Sequence, residues 1–235
     1  MPRARIVSPQ WMTTDDGLGP VRSGRHQIDR RADQLFDTLE ERLRGRRQRL
    51  EGADTHRGLT PARHRFIDRL AVCQGFCADR QVVDADDRVL VPPAAPSYVL
   101  RRIWLTEAEE RHYYEGFANE GLWPLCHVAH VKPVFRAADW RAYQEVNKRF
   151  ARAVEAELPD LVSPVFIQDY HLTLVAKYLR AACPDVRIAL FWHIPFPHPD
   201  QLRICPYRRQ IMEGLLACDL LAFQLDRDRR NFLAA

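Results

Sequence analysis

The sequence predicts an α/β fold built on a parallel sheet, and three observations toward its C-terminal end carry that prediction. Three short apolar runs, Val165 to Ile167, Ile188 to Trp192 and Leu220 to Phe223, stand inside the stretch from Pro164 to Gln224. Each is bounded by polar or turn residues and separated from the next by a segment of helical spacing, which is the pattern of β-α-β-α-β. Each is also followed by a polar group able to do chemistry: Asp169, His193 and Gln224. Open parallel sheets bind ligands outside the carboxyl ends of their strands, so these residues mark the candidate site.

A single Asp after a strand also reads as a helix N-cap, and a lone His as a satisfied polar group. The two together on adjacent strand ends favour a site. The loop Ile194-Pro195-Phe196-Pro197-His198-Pro199 adds a stiff apolar rim beside His193, because three prolines fix φ and cannot continue a central strand or enter a helix interior.

From the N-terminus, Arg5-Ile6-Val7-Ser8 reads as the start of a strand, and Asp16-Gly17-Leu18-Gly19-Pro20 has turn chemistry. Between Ile28 and Leu50, apolar residues recur at helical spacing among Arg and Glu, which predicts an amphipathic helix. A second short helix is expected after Pro61. The block from Asp79 to Leu105 reads as short strands broken by Pro92-Pro93 and Pro96. Thr106-Glu107-Ala108-Glu109 is a capping box that starts a helix expected to reach about Asn119, with Gly121 as its stop. Trp140, Tyr143, Val146, Phe150 and Val154 form the core stripe of a long helix ending near Leu158-Pro159. Pro206 stands at a first helical position, and a last helix begins after Gln224.

With 235 residues and 46% hydrophobic content, the chain can bury a real core. No apolar run approaches a bilayer span, and MPRARIVSPQW lacks the apolar core of a signal peptide, so a cytoplasmic location and no membrane partner are expected. Six cysteines, at 73, 77, 126, 183, 205 and 218, form no CxxC pair, and they are expected to be reduced thiols with no metal site. Residues 1 to 70 hold fifteen Arg and ten acidic residues, yet the charges alternate in sign without interleaved aromatics, which argues against nucleic acid as a partner.

The motifs IQDYHL (Ile167 to Leu172), FWHIPFPHP (Phe191 to Pro199) and DLLAFQ (Asp219 to Gln224) resemble the trehalose-6-phosphate synthase family, the family 20 glycosyltransferases. YYEGFANEGLWPLCH (Tyr113 to His127) and WRAYQEVNKRFA (Trp140 to Ala151) match the same family in the same order. The resemblance spans roughly residues 75 to 235. It implies the Rossmann-like N-terminal lobe of a GT-B glycosyltransferase, a parallel sheet flanked by helices, with residues 1–74 as a divergent Arg-rich helical segment. The nucleotide-sugar domain of the family is not in the sequence, so a truncated chain, inactive alone, is expected.

The activity implied is retaining glucosyl transfer from a nucleotide sugar, UDP-glucose or similar, to glucose 6-phosphate, with no metal and no cofactor. Asp169 would orient acceptor hydroxyls and His193 would contact the transferring sugar. Tyr114 and Trp123 by themselves read as core aromatics; the resemblance places them on the acceptor sugar phosphate, together with Asp169. In the family an Arg after the first strand and a Gly-Gly loop hold phosphate; here Ser8-Pro9-Gln10 and Gly17-Leu18 stand at comparable places, with Gln10 where the arginine is wanted. A separate C-terminal lobe or a homo-oligomer is a possible partner. The alternatives are a glucosylglycerol-phosphate synthase-like enzyme on the same scaffold and a non-catalytic sugar-phosphate-binding remnant.

Overall fold

The computed structural model describes residues 5–7, 70–75, 83–91, 98–158 and 164–235. The chain divides into two compact units, residues 1–13 with 66–235 and residues 14–65. The second unit, and with it the helix expected between Ile28 and Leu50, lies outside the described residues.

The first unit is a seven-stranded sheet. Its strands are β1 (Arg5–Val7), β2 (Leu70–Gly75), β3 (Arg88–Val91), β4 (Tyr98–Trp104), β5 (Val165–Gln168), β6 (Ile188–Trp192) and β7 (Leu220–Phe223). They lie side by side in the order β3-β4-β2-β1-β5-β6-β7. Every pairing is parallel except β3 with β4, an antiparallel hairpin at one edge. The chain thus lays strands outward from β1 through β2 to β4, then returns to the other flank of β1 and lays β5, β6 and β7. The reversal between β1 and β5 is the switch point of a doubly wound sheet, where a crevice opens at the strand ends. The boundary expected after residue 74 falls inside β2, whose ladder to β4 runs through Gly75.

β5 and β6 are buried at every position, as parallel strands covered on both faces must be. One cover is α3 (Ala137–Ala156), whose Trp140, Tyr143, Val146, Phe150 and Val154 are all buried, as their spacing predicts. Fully burying an aromatic or aliphatic side chain of this kind is worth about 1.5–3 kcal/mol. Before it run α1 (Glu107–Glu109), a π-helical stretch (Glu110–Leu122) and α2 (Trp123–His127) as one continuous helical segment. The capping box is present: Thr106 Oγ1 accepts from Glu109 N, and Glu109 Oε2 accepts from Thr106 N at 2.9 Å.

Gly121 does not stop this helix. It sits inside because a Cβ there would meet Phe135 Cε1 at 2.8 Å, so the position needs glycine for close approach rather than for a left-handed turn. The helix ends at Val128, at φ 53. Further on lie α4 (Val175–Ala182), α5 (Pro199–Leu202), α6 (Arg208–Leu216) and α7 (Asp226–Ala234). Pro199, rather than Pro206, takes a first helical position, and Tyr207 is the residue before α6. No helix among the described residues is long and apolar enough to cross a membrane.

Candidate functional site

Asp169 follows β5 directly, at the switch point, and is 1% exposed. Its backbone adopts φ 71 and ψ 172, a region that non-glycine residues rarely occupy and that costs about 1–3 kcal/mol unless the surroundings enforce it. They do so from both sides. Asp169 N donates to Phe191 O of β6 at 2.9 Å, and Asp169 Oδ1 accepts from Tyr170 N at 2.9 Å and from His193 N at 3.2 Å. The Asp is therefore an N-cap, of the short 3₁₀ turn Tyr170–Leu172, and also a bridge to the next strand end. Both backbone bonds use Oδ1, and Oδ2 takes no hydrogen bond among the described residues. Burial raises this carboxyl from an ordinary 3.8 to about 7, outweighing the two backbone donors that lower it.

His193 follows β6 directly. Its Nε2 lies 2.6 Å from Gln168 Oε1 at the end of β5, and its ring packs edge-on against Phe191 at 4.3 Å. Burial lowers the imidazole to about 4, so it is neutral at pH 7. The third strand end joins the same chain of contacts, since Gln224 Nε2 donates to His193 O at 2.6 Å. Asp169, His193 and Gln224 are thus linked by hydrogen bonds across β5, β6 and β7, as the strand-end pattern of the sequence predicts.

The loop after Asp169 is fastened from behind by α3. Tyr143 hydroxyl donates to Tyr170 O at 2.5 Å and lies 2.7 Å from Thr173 Oγ1. Asn147 Nδ2 donates to His171 O at 3.1 Å, and Asn147 Oδ1 accepts from Leu174 N at 3.1 Å. The rim loop after His193 is held by α7: Asp228 Oδ1 accepts from Phe196 N at 3.2 Å and Asn231 Nδ2 donates to Phe196 O at 2.9 Å.

Tyr114 lies in the π-helical stretch and stacks on His171, two residues beyond Asp169, with ring centroids 5.2 Å apart. Trp123 is 44% exposed and stacks on His127 at 4.2 Å. Nine residues separate the two aromatics. At 3.6 residues per turn that spacing is two and a half turns and opposite faces. In a helix closed by i→i−5 bonds a turn takes about 4.4 residues, so nine residues make about two turns and one face. Asn119 falls on that face between them and accepts from Tyr170 hydroxyl at 2.9 Å. The widened helix is what aligns Tyr114 and Trp123, and hydrophobic spacing alone gives an α-helix instead. The structure joins Tyr114 to the Asp169 loop through His171, whereas no hydrogen bond or ring contact among the described residues joins Trp123 to Asp169 or His193.

Sequence spacing does not single out His171. It is 3% exposed, neither ring nitrogen has a hydrogen-bond partner among the described residues, and burial lowers it to about 3. Its place in the motif Gln168-Asp169-Tyr170-His171 is the one signal the sequence holds for it. Cys126, Cys183 and Cys205 are buried free thiols, and no group of three or more His, Cys, Asp or Glu among the described residues is placed to hold a metal ion. Ser8-Pro9-Gln10 and Gly17-Leu18 lie outside the described residues.

The chain is similar to known proteins in sequence and in fold. Trehalose-6-phosphate synthase of Mycolicibacterium smegmatis is 42% identical over 152 residues, covering 65% of this chain and 29% of that protein. The Mycolicibacterium gilvum protein of the same name is 40% identical over 156 residues, covering 66% of this chain. A UDP-forming α,α-trehalose-phosphate synthase from Burkholderia vietnamiensis superposes with a TM-score of 0.61 at 30% identity, over 70% of this chain and 36% of that one. One from Burkholderia xenovorans, solved with glucose 6-phosphate, gives 0.58 at 29% identity, over 70% of this chain and 36% of that one. The chain spans about three-tenths of the length of the curated relatives it matches. Residues 54–235 match the sequence profile of Glycosyltransferase family 20, and the chain belongs to that family.

Proposed function

We propose that the chain forms the acceptor side of a retaining glucosyltransferase of the trehalose-6-phosphate synthase type, which moves glucose from a nucleotide sugar to glucose 6-phosphate in the cytoplasm. The observation that carries this reading is the convergence of Asp169 and His193 at the switch point, with one carboxylate oxygen committed to backbone and the other without a hydrogen bond among the described residues. Oδ2 accepts hydrogen bonds from acceptor hydroxyls and turns the attacking oxygen toward the donor. His193, one strand over, contacts the sugar in transfer. Tyr114 and Trp123 supply rings for the hexose face and a hydroxyl and an indole N–H for its oxygens. Placement and electrostatics of this kind account for most of the rate in a site where the leaving diphosphate takes the proton.

The relatives bearing this name are more than three times as long as the matched stretch. We expect residues 1–235 alone to show no appreciable transfer, and robust turnover by the purified chain would overturn that. Binding is the direct test. Calorimetry should show glucose 6-phosphate bound more tightly than glycerol 3-phosphate or inorganic phosphate, and Asp169→Ala should weaken it at least tenfold. Tighter binding of glycerol 3-phosphate favours a glucosylglycerol-phosphate synthase-like acceptor. No binding at millimolar concentration of either defeats the acceptor-site reading.

A further inference from the structure

We propose that Gln168 is a positioning residue that fixes the tautomer of His193, holding the proton on Nε2 and leaving Nδ1 as the nitrogen with the lone pair. This goes beyond the acceptor-side reading, and its consequence for specificity rests on His193 being a sugar contact.

Gln168 is the last residue of β5 and is 3% exposed, so its carboxamide has little freedom. Its Oε1 lies 2.6 Å from His193 Nε2. A carboxamide oxygen only accepts, so the hydrogen on that line belongs to the imidazole. The main chain fixes the rest of the residue: His193 N donates to Asp169 Oδ1 at 3.2 Å, and His193 O accepts from Gln224 Nε2 at 2.6 Å. Phe191 closes one side of the ring. With the backbone held at two points and the ring at a third, the tautomer follows from which end of the Gln168 amide faces the histidine. Gln168 Nε2 has no partner among the described residues. The opposite arrangement, with the amide nitrogen donating to the ring, requires the proton on Nδ1.

The chemical consequence is selective. An imidazole whose N–H is given to Gln168 keeps no donor for an anionic phosphate oxygen, and its Nδ1 is buried. The ring of His193 is thereby closed as a donor to a diphosphate.

The test is nitrogen-15 NMR of the histidine ring in the purified chain at pH 7, with His193 assigned by its loss in His193→Gln. We expect a pyrrole-type Nε2 and a pyridine-type Nδ1 in the wild type, and averaging between the two tautomers in Gln168→Met. A pyrrole-type Nδ1 in the wild type overturns the proposal, as does an unchanged ring signature in a folded Gln168→Met. If that variant does not fold, the wild-type spectrum alone decides. The readout needs no ligand, so it stands or falls separately from sugar-phosphate binding.

Discussion

Two regions carry the candidate site residues, and they are built on different physics. The strand-end edge, from Asp169 through His193 to Gln224, is fixed by hydrogen bonds to main chain, at 2.9 and 3.2 Å on Asp169 and 2.6 Å on His193. On the helical platform, Tyr114 stacks on His171 at 5.2 Å and Trp123 on His127 of its own helix at 4.2 Å, beside the bond from the Tyr170 hydroxyl to Asn119 at 2.9 Å. One edge is held atom by atom, with Asp169 buried at its start; the other ends in a half-exposed tryptophan. On the acceptor-site proposal, the first kind of wall orients a reacting hydroxyl and the second admits and releases a hexose.

The contrast predicts unequal losses on mutation. Asn147→Leu strips His171 O and Leu174 N of their buried partner, so it should cost about 2–4 kcal/mol of stability and abolish sugar-phosphate binding; urea unfolding and calorimetry measure the two. An unchanged unfolding midpoint would mean that α3 does not hold the Asp169 loop.

Asp169→Asn keeps both backbone bonds and removes the ionisation. Because burial holds the carboxyl near 7 against an ordinary 3.8, the native state binds an extra proton between those values. Stability of the parent chain on this account falls as pH rises from about 4 to 7, and the deficit stays constant above. The variant should therefore equal the parent near pH 4 and exceed it by about 2–4 kcal/mol at pH 8. His193 and His171, lowered by burial from 6.5 to about 4 and about 3, have the opposite sign: each makes the fold more stable as pH rises toward 6.5. Removing Asp169's charge should steepen that rise, and pH-resolved thermal melts will show it.

Gln224→Ala removes one exposed hydrogen bond to His193 O and should cost about 0.5–1.5 kcal/mol, with the effect seen in exchange of the rim-loop amides. Trp123→Ala should leave stability within about 0.5 kcal/mol, since the side chain lies at the surface, while weakening sugar-phosphate binding about tenfold. A stability loss from Trp123→Ala larger than that of Asn147→Leu would invert the comparison.

The two regions also differ in how far the sequence reveals them. The apolar runs of β5, β6 and β7 and the polar residues after them are local signals, and Ile188 to Trp192 and Leu220 to Phe223 match the strands residue for residue. The stripe of α3 is legible for the same reason. The place of β1 between β2 and β5 is not local, because it depends on pairings across more than sixty residues of chain. Nor is the π-helical stretch, since no propensity scale distinguishes a turn of about 4.4 residues from one of 3.6. Gly121 looks like a stop until Phe135 is seen against its Cα. Gln168 and His171 are hidden by their own motif: they are polar residues beside Asp169, and only burial and the 2.6 Å contact to His193 distinguish them from a solvated turn.

The most direct test of the switch-point site is proton–nitrogen NMR of the labelled chain titrated with glucose 6-phosphate. The account predicts saturable shifts of the Asp169, Tyr170 and His193 amides, reaching Tyr114 and Trp123, and their loss in Asp169→Ala. Shifts confined to residues away from these strand ends, or shifts that persist in Asp169→Ala, would contradict it.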